Sequence, residues 1–415
     1  MASPNYFTCT LGQAAALSLT NPHFKNINAF IDDQAHSIPD QAAVGFAEPS
    51  QDSRDNSKPW SHSIFTFAQV RTASCALAAL LHREHGDQVA QSGTVALLCP
   101  STPEFLIVWL ALTRLGHAVL LIAPQCPPPA VASLCESCDV RFIFYDGIYS
   151  HLATEAVKVS QAGTKLTAIA LPLGPQLKIA ELLCSHSTDN AITLSSDCQP
   201  TDVAYLHHTS GTSSGVPKPI PQTHRAGAGV LPQFPDGKDK ATFTTTPLYH
   251  GGIADLFRAW TSGAMIWLFP GKSNHDTAQP ITVNNVIKCL DVAADCTRHG
   301  SCPPVKYFSS VPYVLQSLEA DERGLRYLRK MDVVGVGGAA LPDEVGDRIV
   351  DQDINLISRF GSAECGFVMS SHRDYAKDKA WQYLRSDKGA ENLNFEKQES
   401  GLVELIVLDG WPHMV

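Results

Sequence analysis

TSGTSSGVPK, residues 209–218, decides how the chain is read. Its first seven residues hold five hydroxyl side chains (Thr209, Ser210, Thr212, Ser213 and Ser214) and two glycines, Gly211 and Gly215; Lys218 closes the stretch. Glycine lets a backbone turn tightly with its amides facing inward, and such a concavity holds anions. The hydroxyls add donors, and the lysine adds a point charge suited to phosphate. A solvated Ser/Gly linker has similar composition. Against that reading, YLHH at 205–208 has the look of a strand end, and PIPQTH follows at 219–224. The GxxxxGK[ST] phosphate loop is excluded, because Val216 follows Gly215.

The flanking pattern predicts an α/β fold. TVALLCP (94–100), AVLLIAP (118–124) and RFIFYD (141–146) read as buried parallel strands, and PEFLIVWLALTRLGH (103–117) as the helix between the first two. Strand and crossover helix in alternation is βαβ organisation. Nearer the N-terminus, AFIDDQAHSIPDQAAVGF predicts a helix, a break at Pro39 and a strand carrying Val44 and Phe46. Residues 1–30 have weak periodicity and are expected to lie across the surface of the core. Residues 48–60 read as a polar loop, and a helical pattern is expected from Ile64 to Gly86.

Downstream, ATFTTTPLYHGG (241–252) predicts a strand ending in a proline turn just before His250. That histidine either starts a helix or faces a ligand. GAMIWLFPG (263–271) is another strand, and VKYFSSVPYVLQSLEA (305–320) a strand followed by a helix. MDVVGVGGAALP (331–342) runs from a strand into a glycine turn, and INLISRFGSAECGFVMSS (354–371) places Glu364 in a turn between two apolar segments. Three glycine-bearing turns, at 209–215, 337–342 and 361–366, thus follow predicted strands, which is where open α/β sheets collect ligands.

Composition narrows the function classes. A chain of 415 residues, 44% hydrophobic, is long enough for two or three α/β subdomains. A net charge of −10 gives no footing for nucleic acid or an anionic membrane, and no run reaches the length of a bilayer span. Twelve cysteines without a secretory leader pattern predict a reducing, cytoplasmic setting. Cys135 and Cys138 have dithiol spacing but lack a partner pair for zinc, so they read as structural, and His299 between Cys296 and Cys302 does not make a metal site. The strand–GxGxxG–helix unit of a dinucleotide oxidoreductase is not visible.

Taken together, these turns resemble those of the acyl-adenylate-forming family, which includes acyl-CoA synthetases, luciferases and the adenylation domains of nonribosomal peptide synthetases. TSGTSSGVPK resembles its phosphate loop, VGVGGAALP (334–342) its adenine-side loop, and RFGSAECG (359–366) its aromatic-Gly-x-Thr-Glu segment. TTTPLYHGG (244–252) resembles the strand and turn beside the acyl pocket. The resemblance covers about 65–410. Within the family, HHTSGTSSGVPKPIPQTH, SSHRDYAKDKAWQYLR and VELIVLDGWP are most similar to fungal multidomain carboxylic acid reductases of the nonribosomal-peptide-synthetase-like type.

The resemblance implies the large N-terminal core of such an enzyme: two layered α/β subdomains plus a partial β-barrel-like region. Residues 1–60 would pack on a core spanning 61–415. The implied reaction joins a small carboxylic acid to ATP, with Mg2+, as an acyl-adenylate. Thr209, Ser210, Gly211, Thr212, Ser213, Gly215 and Lys218 would meet the phosphates, and Glu364 would hold the metal. Gly338, Ala339, Ala340, Phe360, Gly361 and Ser362 would line the nucleotide side, and His250 would orient the carboxylate. Lys218, His250 and Glu364 are thereby the catalytic candidates, and Glu404 reads as structural. A carrier or reductase domain is the implied partner.

Two departures qualify the expectation. Ala363 stands where the family has a threonine whose hydroxyl meets the α-phosphate; Ser362 offers a hydroxyl one position earlier. The chain also stops at Val415, 51 positions after Glu364, before the expected ribose-binding Asp, the hinge and the C-terminal lid. Nucleotide binding with weak pyrophosphate exchange is expected on that basis. The alternative is a non-catalytic nucleotide- or acid-binding remnant.

Overall fold

A computed structural model describes residues 3–21, 23–49, 60–89, 93–160, 165–172, 182, 198–209, 217–273, 277–385 and 389–414. Its strands, in chain order, are β1 (Ala42–Glu48), β2 (Ser61–Thr66), β3 (Thr94–Leu98), β4 (Ala118–Leu121), β5 (Phe142–Tyr145) and β6 (Thr167–Ala170). There follow β7 (Val203–His208), β8 (Pro219–Thr223), β9 (Ala241–Thr244), β10 (Met265–Leu268) and β11 (Val305–Ser310). The last are β12 (Val333–Gly337), β13 (Leu356–Ser362), β14 (Gly366–Ser370), β15 (Leu393–Lys397) and β16 (Val403–Val407).

They form two large sheets. One has the order β14-β13-β12-β11-β9-β10-β1-β2, and the other β6-β5-β3-β4-β7-β8. Inner neighbours run parallel, while β2, β14 and β8 join antiparallel at the edges. Sequence explains the placement. TVALL and MIWL are apolar on both faces and are covered on both, as inner parallel strands must be. Pro219 and Pro221 cannot donate to a ladder, and β8 accordingly takes an edge. The antiparallel ribbon of β15 and β16 stands apart as a two-stranded sheet, and no closed barrel forms among the described residues.

The helix Pro103–Arg114 shows how the two halves share a core. Thr102 caps it by accepting from the Phe105 N–H at 3.4 Å, Pro103 fits the first turn, and Arg114 sits in the last. Residues 105–114 are buried on every face, which an amphipathic helix on a solvated surface would not tolerate. Trp109 meets Tyr205 of β7 at 5.6 Å and Phe257 of the helix Gly252–Trp260 at 5.6 Å between ring centroids, so one side chain bridges the second sheet and the helix that links β9 to β10.

Two expectations need correction. Ile64 belongs to a strand: β2 pairs with β1 through Gly45↔Ile64 and Val44↔Phe65, and the helix begins only at Phe67. A six-residue edge strand running straight into a helix leaves no turn residue to mark the change. Residues near the N-terminus do more than lie over the core. Tyr6, Phe7 and Leu11 are buried, Phe7 stacks on Tyr307 at 5.1 Å, and β1 lies inside the large sheet. The loop read at 48–60 falls mostly outside the described residues.

A candidate adenylate-binding cleft

Five strands bring their carboxyl ends to one place. The segments after β9, β11 and β12 and the end of β13 line a cleft of about 970 Å3, and Tyr205, His207 and His208 of β7 face it from the second sheet. A volume of that size suits a nucleotide-sized ligand. His250, Gly338, Gly361 and Ser362 line it, as does Ala363.

The remaining candidate residues are not among its described lining residues. Thr209 and Lys218 meet at the base of their loop: the Thr209 N–H donates to the Lys218 carbonyl at 2.9 Å, and the Lys218 N–H donates to Thr209 Oγ1 at 2.9 Å. Lys218 is exposed. Ser210, Gly211, Thr212, Ser213 and Gly215 lie outside the described residues. Gly338, Ala339 and Ala340 are exposed beyond β12, and Gly338 has φ +80°, a conformation that favours glycine. Phe360 leaves 45% of its surface exposed, an open aromatic face beside the cleft. Glu364 is exposed, one residue beyond Ala363, and no group of three metal-ligating side chains occurs among the described residues. Cys135 is buried and Cys138 half-buried, and burial raises both thiols, as structural cysteines require. Glu404 lies on β16, where it accepts from Gln398 Nε2 at 2.8 Å.

Three histidines gather where the sheets meet. His208 has both ring nitrogens committed: Nδ1–H donates to the Thr209 carbonyl at 2.9 Å, and Nε2 accepts from the Ala123 N–H at 3.0 Å. Those partners fix a neutral ring that ties the start of the 209–218 loop to the end of β4. His207 donates through Nδ1 to the Tyr249 carbonyl at 3.3 Å, and burial pushes its pKa down to about 4. The His208 and His250 rings lie 6.1 Å apart. Desolvation by the cleft walls, then His208, holds His250 below the ordinary imidazole range, so it is a neutral ring at pH 7.

Sequence reasoning missed the clamp that holds the Glu364 turn. Gln222 of β8 donates through Nε2 to the Ala363 carbonyl at 2.7 Å, and its Oε1 accepts from His413 Nε2 at 2.9 Å. Trp411 Nε1 donates to the Cys365 carbonyl at 2.7 Å. A Cβ at Gly361 would collide with the Gly366 carbonyl oxygen, so the turn closes only with glycine there. Gln222 is buried and serves two partners at once. Gln222→Leu is therefore expected to cost about 1–3 kcal/mol, because the turn would lose its bonds from β8 and keep the 3.2 Å contact between His413 Nε2 and the Ala363 carbonyl. A lowered urea midpoint with an unchanged slope would check this.

Also missed was a charged cluster at one end of the cleft. Asp255 and Arg258, on the helix Gly252–Trp260, line it together with Arg359 of β13. Arg359 Nη1 donates to Asp255 Oδ1 at 3.0 Å and to Ser309 Oγ at 2.8 Å, and Thr244 Oγ1 donates to Asp255 Oδ2 at 2.9 Å. Arg258 is buried and donates to the carbonyls of Tyr6 at 3.1 Å and Cys9 at 2.5 Å. An isolated ion-pair residue in a sequence gives no signal of such a cluster; only the order of strands brings it together.

The profile of the family described as AMP-binding enzyme matches residues 32–386. The chain belongs to that family. It is 27% identical over 326 residues to the adenylate-forming reductase stbB of Stachybotrys bisbyi, covering 75% of this chain and 28% of that protein. It is 25% identical over 312 residues to a carboxylic acid reductase of Neurospora crassa, covering 71% of this chain and 27% of that protein. The family member thus spans little more than a quarter of these fungal relatives. Its fold matches the inhibitor-bound N-terminal domain of FACL13 from Mycobacterium tuberculosis with a TM-score of 0.65 at 17% identity, over 92% of this chain and 86% of that one. The α/β core expected from the sequence is the observed fold. No helix among the described residues is long and apolar enough to cross a membrane.

Proposed function

We propose that this chain joins a carboxylic acid to ATP as an acyl-adenylate, with release of pyrophosphate. One observation carries the reading: a single cleft is lined by glycine turns, a neutral histidine and a charged end, and the exposed Phe360 ring stands next in the chain to its lining residues Arg359 and Gly361. In the reaction a carboxylate oxygen forms a bond to the α-phosphorus, and the bond from that phosphorus to the pyrophosphate oxygen breaks. Proximity and charge stabilisation supply most of such a rate.

Roles follow for this chain's residues. Gly338, Ala339 and Ala340 leave the adenine side open, Phe360 stacks on the ring, and Gly361 and Ser362 complete that wall. Thr209, Ser210, Gly211, Thr212, Ser213, Gly215 and Lys218 hold the β- and γ-phosphates. His250, neutral at pH 7, orients the carboxylate without forming an ion pair with it. Glu364 is a hard oxygen donor on an exposed turn, which fits a magnesium ion that keeps its waters and takes its other ligands from phosphate. Bound there, magnesium neutralises phosphate charge.

Both Asp255 oxygens are committed to Arg359 and Thr244. With Arg258 and Arg359 leaving the lining net positive, an ammonium group is disfavoured there, which favours an aryl, keto or fatty acid without a free α-amine. The wider reading is a fungal secondary-metabolite system in the cytoplasm, in which a carrier or reductase domain receives the acyl group.

The test is acid-dependent ATP–pyrophosphate exchange with Mg2+, with hydroxylamine trapping of the acyl group. Exchange that requires the acid supports the proposal. Nucleotide binding without any exchange favours a binding remnant, which Ala363 supports, because a methyl group cannot donate to the α-phosphate. Ala363→Thr restores that donor. A hydrogen bond to a charged group contributes about 1.5–3 kcal/mol, so exchange is expected to rise roughly tenfold or more; an unchanged rate would show that Ser362 already does this work.

A further inference from the structure

The charged end of the cleft is out of balance. Asp255 is the single acidic residue among its described lining residues, and it faces two guanidiniums, Arg258 and Arg359, which leaves one net positive charge. Among the described residues Asp255 bonds to Arg359 and Thr244 and acts on Arg258 through charge rather than a direct bond. Arg258 finds two neutral carbonyls and lies 4.7 Å above the Phe367 ring centroid. Burial, and then the neighbouring Arg359, push its guanidinium below the usual range, yet it stays charged at neutral pH. Arg359 is held between Phe7 and Phe367 at 4.7 and 4.8 Å, and its buried Nε has no acceptor among the described residues. A surplus cation in a low-dielectric cleft is costly until an anion joins it.

We propose that this end of the cleft receives the far end of the acid, and that the substrate carries a second carboxylate there. The inference rests on the carboxylate-activating reading above and deepens it. Ser309 and Thr245 flank the cluster with hydroxyls, so a second carboxylate would meet both charge and donors. A neutral, apolar tail would instead leave the positive charge unmatched.

The test is isothermal titration of the full 415-residue chain, held with Mg2+ and α,β-methylene-ATP, by aliphatic and benzene dicarboxylic acids and by their monomethyl esters. Each ester matches its parent in size and lacks only the second charge. At least one diacid is expected to bind at least tenfold more tightly than its ester. Asp255→Asn, which frees Arg359, should widen that ratio. Arg258→Met, which keeps the Asp255–Arg359 pair and removes the surplus charge, should bring the ratio below threefold.

Equal binding of every diacid and its ester overturns the inference and leaves the proposed function standing. Loss of the preference in both variants alike also overturns it, since a merely structural cluster would respond that way. Nucleotide binding with no binding of any acid overturns the inference and the carboxylate half of the proposed function together. Absence of nucleotide binding overturns the reading of the cleft itself.

Discussion

Arg359→Met is expected to lower the urea midpoint sharply, by the equivalent of about 3–5 kcal/mol. Asp255 and Arg359 have side chains only 9% and 13% exposed, and they meet at 3.0 Å. Removing the guanidinium leaves a buried carboxylate whose remaining donor among the described residues is the Thr244 hydroxyl. Breaking one partner of a buried pair costs more than removing both, because the stranded charge keeps its desolvation penalty. The Asp255→Asn/Arg359→Met double variant should therefore recover at least half of the loss. Additive losses from the two single changes would show that the residues do not interact.

Acid is expected to destabilise the fold between pH 6.5 and about 4, a window set by two buried histidines. Burial pushes His207 and His224 down to about 4. His224 Nδ1 accepts from the Ile27 N–H at 3.2 Å, which a protonated ring cannot do. Each ring is neutral when folded and binds a proton near its ordinary pKa when unfolded. The unfolded chain therefore takes up more protons below pH 6.5, and stability falls as pH falls. By pH 5 the loss is roughly 2 kcal/mol for each histidine. Thermal midpoints at pH 7.5 and 5 would check this. His224→Asn keeps an acceptor for Ile27 without the titration and should flatten the profile; an unchanged slope would assign the acid sensitivity elsewhere.

The fold was legible where local pattern and tertiary role coincide. TVALL, AVLL and MIWL are buried on both faces, so an apolar run is all an inner parallel strand needs. Gly338 and Gly361 were legible because a tight turn needs them whatever surrounds it. The edge strand β2 was hidden by the helix it runs into, and Tyr6 and Phe7 are buried by partners some 300 positions away, such as Tyr307. Asp255 with Arg359, and Gln222 with His413, are separated by 104 and 191 positions. Periodicity says which residues face inward but not which strands become neighbours. Family resemblance pointed to the glycine turns; the polar end of the cleft had to be seen in three dimensions.

The most direct measurement is the affinity of the chain for a nonhydrolysable acyl-sulfamoyl adenosine, set against AMP. If one cleft holds nucleotide and acid together, the joined mimic gains both sets of contacts in a single binding event. It should bind at least 100-fold more tightly than AMP and be displaced by ATP. A mimic that binds no better than AMP, or that ATP cannot displace, would contradict an adenylate-forming site.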